Sequence, residues 1–184
     1  MKNVLIISGH PNLGESVANR AILDEVAARL PQAQIRKLDA LYPDWQIDIA
    51  AEQAALQQAD IIVWQFPFHW YSLPALMKKW LDEVFVFGFA HGEGAVLGGK
   101  KLMVSFTTGA PAAAYARDAL MKHAIEDYCA IFESTAILCG LALQPPIYSC
   151  GVSYTTRASA EARAAQITQA KAHAARLIAA IEAA

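Results

Sequence analysis

A chain of 184 residues, 55% hydrophobic and 17% charged, is long enough for one domain with a substantial core, residues 1–184, and too apolar to be disordered. Its formal net charge of −2 gives no electrostatic case for nucleic acid or an anionic membrane as a partner. Cys129, Cys139 and Cys150 are odd in number and lack C-x-x-C spacing, which argues for free thiols in a reducing, cytoplasmic setting; no uncharged run approaches the ~20 residues of a membrane span.

Val4-Leu5-Ile6-Ile7-Ser8 is a continuous apolar run, the pattern of a strand buried on both faces of a parallel sheet. Gly and Pro mark residues 9–15 as a loop. Ser16 then stands where a helix N-cap belongs, before Ile22, Leu23, Val26 and Leu30 at helical spacing. A strand that feeds a helix N-terminus presents backbone N–H groups and the positive dipole end, a place for a phosphate. The dinucleotide fingerprint G-x-G-x-x-G is absent here. The stretch from Gly9 to Ser16 has P-loop spacing, but Glu15 replaces the lysine that a nucleoside triphosphate requires. Gly94, Gly99 and Lys100 form a second near-miss that precedes a strand instead of following one. Two readings of the first loop stand: an ordinary turn with a serine cap, or a cradle for a short phosphate monoester such as flavin mononucleotide.

Further along, residues 34–38 read as an edge strand, 49–58 as a short helix and 61–66 as a second buried strand. Leu73, Leu76, Met77, Trp80, Leu81 and Val84 recur at helical spacing, with Lys78, Lys79, Asp82 and Glu83 opposite. Residues 101–106 form a third buried strand, 118–139 are expected to be mostly helical, 146–149 form a last short strand, and 159–183 an Ala-rich helix. Alternation of this kind implies an α/β fold: a five-stranded parallel sheet with helices on both faces and right-handed crossovers. Ligands in such folds bind outside the carboxyl ends of the strands, at a topological switch point. In flavodoxin order, the loops at residues 9–15, 67–72 and 107–111 converge on one crevice.

The second of those loops, Pro67-Phe68-His69-Trp70-Tyr71, brings three aromatic rings past a strand end. They suit a flat, partly apolar ring ligand, a dimer interface or a cap on the core. The third, Thr107-Thr108-Gly109, offers hydroxyls and a glycine, either as donors to a ligand or as a plain strand end. His91 reads as a solvated loop residue and His173 as a surface residue of the last helix. No Asp, Glu and His set has metal-ligand spacing. Ser16 has no His and Asp partners of the kind hydrolysis needs.

Taken together, His10, Ser16-Val17-Ala18-Asn19, Gln65 through Tyr71, Pro74-Ala75-Leu76-Met77-Lys78-Lys79-Trp80, Gly88-Phe89-Ala90 and Thr107-Thr108-Gly109 resemble the flavodoxin-like NAD(P)H:quinone oxidoreductases of the DT-diaphorase type. The resemblance runs from residue 3 to about residue 150. The stretch Leu41-Tyr42-Pro43-Asp44-Trp45-Gln46-Ile47-Asp48-Ile49-Ala50-Ala51-Glu52-Gln53 is closer still to the ancillary subunits of glutathione-regulated potassium-efflux systems, a bacterial branch of that family.

The resemblance implies a flavodoxin-like fold, a homodimer, bound flavin and two-electron hydride transfer from NADH or NADPH through flavin N5 to a quinone. The short loops favour FMN over FAD. It assigns the flavin phosphate to His10, Ser16, Val17, Ala18 and Asn19, and the ring to Pro67, Phe68, His69, Trp70, Thr107, Thr108 and Gly109. Tyr115 takes the position of a tyrosine that stabilises reduced flavin. Met121 falls at the spacing of its histidine partner, with His123 displaced by two residues, and Ala110 replaces a second glycine. The ancillary branch implies a membrane potassium-efflux antiporter as partner, and hence a place on the inner face of the membrane.

Overall fold

The computed structural model describes residues 2–156 and 158–184. Its centre is a parallel sheet of β1 (Val4–Ser8), β2 (Gln34–Lys37), β3 (Ile61–Pro67), β4 (Lys101–Thr107), β5 (Ala142–Leu143) and β6 (Ile147–Ser149). The order is β2-β1-β3-β4, with β5 and β6 both on the outer edge of β4. This is the flavodoxin-like order expected from the sequence. The last strand position is split in two because Pro145 and Pro146 follow Gln144, and proline has no N–H to donate to a ladder.

Side-chain alternation along the strands builds two cores. Leu5, Ile7, Ile62, Trp64, Phe66, Val104 and Phe106 face one side. There they meet α2 (Leu38–Leu41), α3 (Ile49–Gln58), α4 (Ala75–Val84) and α5 (Ala130–Cys139). Ile6, Val63 and Met103 face the other side and pack on α1 (Ala18–Arg29) and α6 (Ala160–Ala183). Trp64, Trp80, Phe66 and Phe106 are fully buried, each contributing up to roughly 3 kcal/mol of apolar burial. Gly9 is demanded by packing: a Cβ there would lie 2.2 Å from Met77 Sδ of α4. Among the described residues, no helix is long and apolar enough to cross a membrane.

The sequence reading is corrected in three places. Residues 118–124 are turns, and helical structure begins only with a 3-10 segment, Ile125–Cys129, that runs into α5. Leu120 is 80% exposed, so that stretch buries no apolar face to hold a helix. The edge strand stops at Lys37, and Leu38 opens the short helix α2. The helical spacing that begins at Leu73 becomes helix only at Ala75, behind Pro74, since a proline has no N–H to lose at a helix start.

Candidate functional site

The carboxyl ends of β1, β3, β4 and β6 open onto one crevice of about 460 Å³, within the roughly 300–1,000 Å³ usual for small-molecule sites. His10, Ser16, Val17, Ala18 and Asn19 line one end, and Pro67, Phe68, His69, Thr107 and Gly109 the other. Ten of the thirteen residues singled out from the sequence therefore meet in one place. Trp70, Thr108 and Tyr115 do not line it.

At the α1 end, Ser16 Oγ accepts the Asn19 N–H at 3.1 Å, so the serine caps the helix and keeps its own proton to donate. His10 Nδ1 accepts the Asn12 N–H at 3.1 Å, which puts the proton of a neutral ring on Nε2. With the first-turn amides of Val17 and Ala18, these make a donor-rich pocket at a helix N-terminus. Among the described residues, no Lys or Arg lines the crevice, and Glu15 is a carboxylate on its wall.

The β3 end is more committed. Phe68 N–H donates to Thr107 O at 2.8 Å and His69 N–H to Pro67 O at 2.9 Å, so these two amides serve the loop itself. Phe68 is buried on Phe106, with ring centroids 4.9 Å apart, and caps the core while forming the crevice wall. Burial pushes the His69 imidazole below its ordinary value. Trp70 and Tyr71 both have positive φ, 48° and 64°, and Ser72 N–H returns to His69 O. That is a tight turn of the I′ kind, built without the Asn-Gly it prefers, and it leaves Trp70 92% exposed. Tyr71 stacks on Tyr128 at 5.2 Å, and Tyr115 meets Tyr128 edge-on at 6.1 Å. Tyr115 thus stands behind the aromatic loop, hydrogen-bonded to Thr108 and raised in pKa chiefly by burial. The Thr108 hydroxyl donates to Ala110 O at 2.9 Å, beneath the crevice wall.

Beneath Thr107 lies a feature that sequence reasoning missed. Asn19 Nδ2 donates to Thr107 Oγ1 at 3.0 Å, Gln65 Nε2 to Asn19 Oδ1 at 2.9 Å, and Ser105 Oγ to Gln65 Oε1 at 2.6 Å. His173, expected on the surface, is fully buried. Its Nε2 is 2.7 Å from Ser105 Oγ and its Nδ1 3.0 Å from Ser149 Oγ. Burial, with the Arg176 charge nearby, pushes it down to about 4. The signal was in the strands: Ser8, Gln65 and Ser105 sit side by side in register and interrupt otherwise apolar runs on one face. Also missed was the wall from the segment after β6, Val152, Ser153 and Tyr154, with Gln166 of α6. Gln166 Nε2 holds Ser153 O at 2.7 Å.

Two observations test the fit of a flavin. Gly109 has nothing within 4 Å of its Cβ position and a φ outside the left-handed region. The fold does not demand glycine there, whereas a side chain would take up room at the crevice wall. Thr107, 4% exposed, accepts from Asn19, and its own proton has no protein acceptor among the described residues. A flat heteroaromatic ligand with acceptor atoms on its edge suits both, and its phosphate suits the α1 end.

Residues 2–176 match the flavodoxin-like fold family. The chain belongs to that family. It is 45% identical over 144 residues to the glutathione-regulated potassium-efflux system ancillary protein KefF of Enterobacter sp. (strain 638), covering 78% of this chain and 80% of that protein. KefG of Cronobacter sakazakii, an ancillary protein of the same kind of system, is 43% identical over 145 residues, 78% of each chain. General stress protein 14 from Treponema denticola, solved in complex with FMN, superposes on this flavodoxin-like chain with a TM-score of 0.86. It is 34% identical, and the match covers 96% of this chain and 98% of that one. The likeness to ancillary subunits read from residues 41–53 thus extends across most of the chain.

Proposed function

We propose that the protein is an FMN-dependent NAD(P)H:quinone oxidoreductase. The observation that carries this reading is the crevice at the strand ends, which joins a helix-terminus pocket, without a lysine or arginine among the described residues, to an apolar wall at Phe68 and an open face at Gly109. A phosphate monoester dianion is served there by the Ser16 hydroxyl, the His10 Nε2 proton and the first amides of α1. Bound FMN supplies the hydride chemistry; this chain supplies orientation and electrostatics. Pro67, Phe68 and His69 form the wall on which the ring lies. Thr107 and Gly109 bound its acceptor edge, where donors favour the electron-rich state. Trp70, almost wholly exposed at a strained turn next to the crevice residue His69, and Phe87, 70% exposed, supply apolar surface for a homodimer contact.

A second reading is compatible with the first: the protein is an ancillary subunit that docks on a potassium-efflux antiporter from the inner face of the membrane. The 45% identity to KefF favours it. Anaerobic spectroscopy tests the enzyme reading. The FMN-loaded protein should lose its visible flavin absorbance on addition of NADH or NADPH and regain it with a soluble quinone. FMN that binds but stays oxidised under excess of both nucleotides would leave the docking role alone.

A further inference from the structure

The buried polar groups under the crevice form one chain in which each link fixes the next. Arg176 Nη2 donates to Ser149 Oγ at 3.0 Å and has no lone pair to accept with. Ser149, so occupied, uses its own proton on His173 Nδ1. A neutral imidazole then carries its proton on Nε2 and donates it to Ser105 Oγ. Ser105 passes its proton to Gln65 Oε1, Gln65 Nε2 donates to Asn19 Oδ1, and Asn19 Nδ2 donates to Thr107 Oγ1. Every donor is aimed the same way, from an exposed cation on α6, along the α1 and α6 face of the sheet, to the crevice wall. The reverse direction fails at its start, because Arg176 accepts nothing and the Ser149 hydroxyl would have to find another acceptor.

We infer that this chain holds the Thr107 hydroxyl as an obligatory hydrogen-bond donor to whatever occupies the crevice, with His173, Ser105, Gln65 and Asn19 as positioning residues. Asn19 occupies one lone pair of Thr107 Oγ1, and the hydroxyl proton has no protein acceptor among the described residues, so that proton is what a ligand must satisfy. A ligand that presents an acceptor there is favoured over one that presents only a donor, which would leave the buried Thr107 proton without an acceptor. Successive hydrogen bonds in a low-dielectric interior polarise one another, and a cation at the head of the chain strengthens the last donor. The neutrality of His173, pushed down to about 4, keeps one proton on the ring across the physiological range and so preserves the direction. For FMN, whose reduced form carries more negative charge on its ring acceptors, a forced donor favours the reduced state. This consequence rests on the flavin reading; the direction of the chain does not.

Two measurements decide it. Nitrogen-15 NMR of the wild-type protein, without any ligand, should show His173 protonated at Nε2 and bare at Nδ1; an Nδ1–H tautomer overturns the direction. In the FMN-loaded protein, Thr107→Val should weaken reduced FMN about tenfold more than oxidised FMN, which lowers the two-electron potential of the bound flavin by about 30 mV. Ser105→Ala should shift it the same way, by roughly threefold in affinity ratio. The double variant should match Thr107→Val alone, since the Ser105 effect passes through that hydroxyl. Additive shifts, or unchanged potentials with FMN still bound, overturn the inference. If the wild-type protein binds no FMN, the flavin reading fails and the tautomer still decides the chain.

Discussion

Two buried polar clusters occupy opposite faces of the sheet, and they end differently. On the α3 and α4 side, Glu52 is fully buried, and everything around it donates. Arg36 reaches its Oε1 through Nε at 2.7 Å and Nη2 at 2.6 Å, the Tyr42 hydroxyl donates to the same oxygen, and Trp80 Nε1 donates to Oε2 at 2.9 Å. That cluster closes on one carboxylate. Burial pulls Arg36 down, but the bonds and charge of Glu52 outweigh it and the guanidinium rises above its ordinary value. On the α1 and α6 side, the chain from Arg176 to Thr107 stays open, with its last proton directed at the crevice wall. A closed cluster can only hold the fold together. An open one transmits its state to a ligand.

The largest effect should come from the closed cluster. Glu52→Gln replaces an acceptor by a group that faces donors on every side, and breaking a buried charged pair typically costs about 3–5 kcal/mol. Urea unfolding should report that loss, with Tm lower by about 10 °C. FMN affinity of the folded protein should change by less than about twofold, as for a site that shares no partner with the crevice. A large loss of FMN affinity at unchanged stability would erase the distinction between the clusters.

Next in size is an acid effect from the open cluster. Folded His173 titrates at about 4 against an ordinary value near ~6.5. Between those limits the unfolded chain binds a proton that the folded chain does not. Stability is therefore full above the upper limit and falls as pH drops toward the lower one, by about 3 kcal/mol from this group. His173→Phe should start lower in stability, with Ser105 and Ser149 each losing one hydrogen-bond partner, but should flatten that slope. An equal slope in the variant would assign the acid effect to other groups.

The smallest of the three concerns the strained turn. Trp70→Asn puts a residue that tolerates positive φ in place of one that does not, and loses almost no packing. It should raise monomer stability by about 1 kcal/mol while weakening self-association in sedimentation. Self-association that is unchanged by the substitution would move the proposed interface away from this loop.

The framework of this fold was legible because β1, β3 and β4 are apolar runs that no other buried element of that length explains, and their loops had to meet at the switch point. Of the helix expected over residues 118–139, the part from Ile125 onward is helical and residues 118–124 are not, because Ala, Leu, Met and Lys favour helix locally while Leu120 has nothing to pack against. His173 is expected on the surface of the last helix. Yet Gln166, Ala170, Ala174 and Leu177 share its buried side of α6, and that spacing was visible. The wall at Val152, Ser153 and Tyr154 depends on how the chain leaves β6, which no local pattern encodes.

The flavin reading expects the phosphate at the α1 terminus, where no Lys or Arg stands from Ser8 to Asn19. Fluorescence titration of the wild-type protein with FMN and with riboflavin, repeated on Ser16→Asp, measures that directly. FMN should bind one per chain and at least about tenfold tighter than riboflavin, a gain of about 1.4 kcal/mol or more. Ser16→Asp should weaken FMN while leaving riboflavin unchanged. Equal affinity for the two ligands, or FMN binding indifferent to Ser16→Asp, would contradict the site.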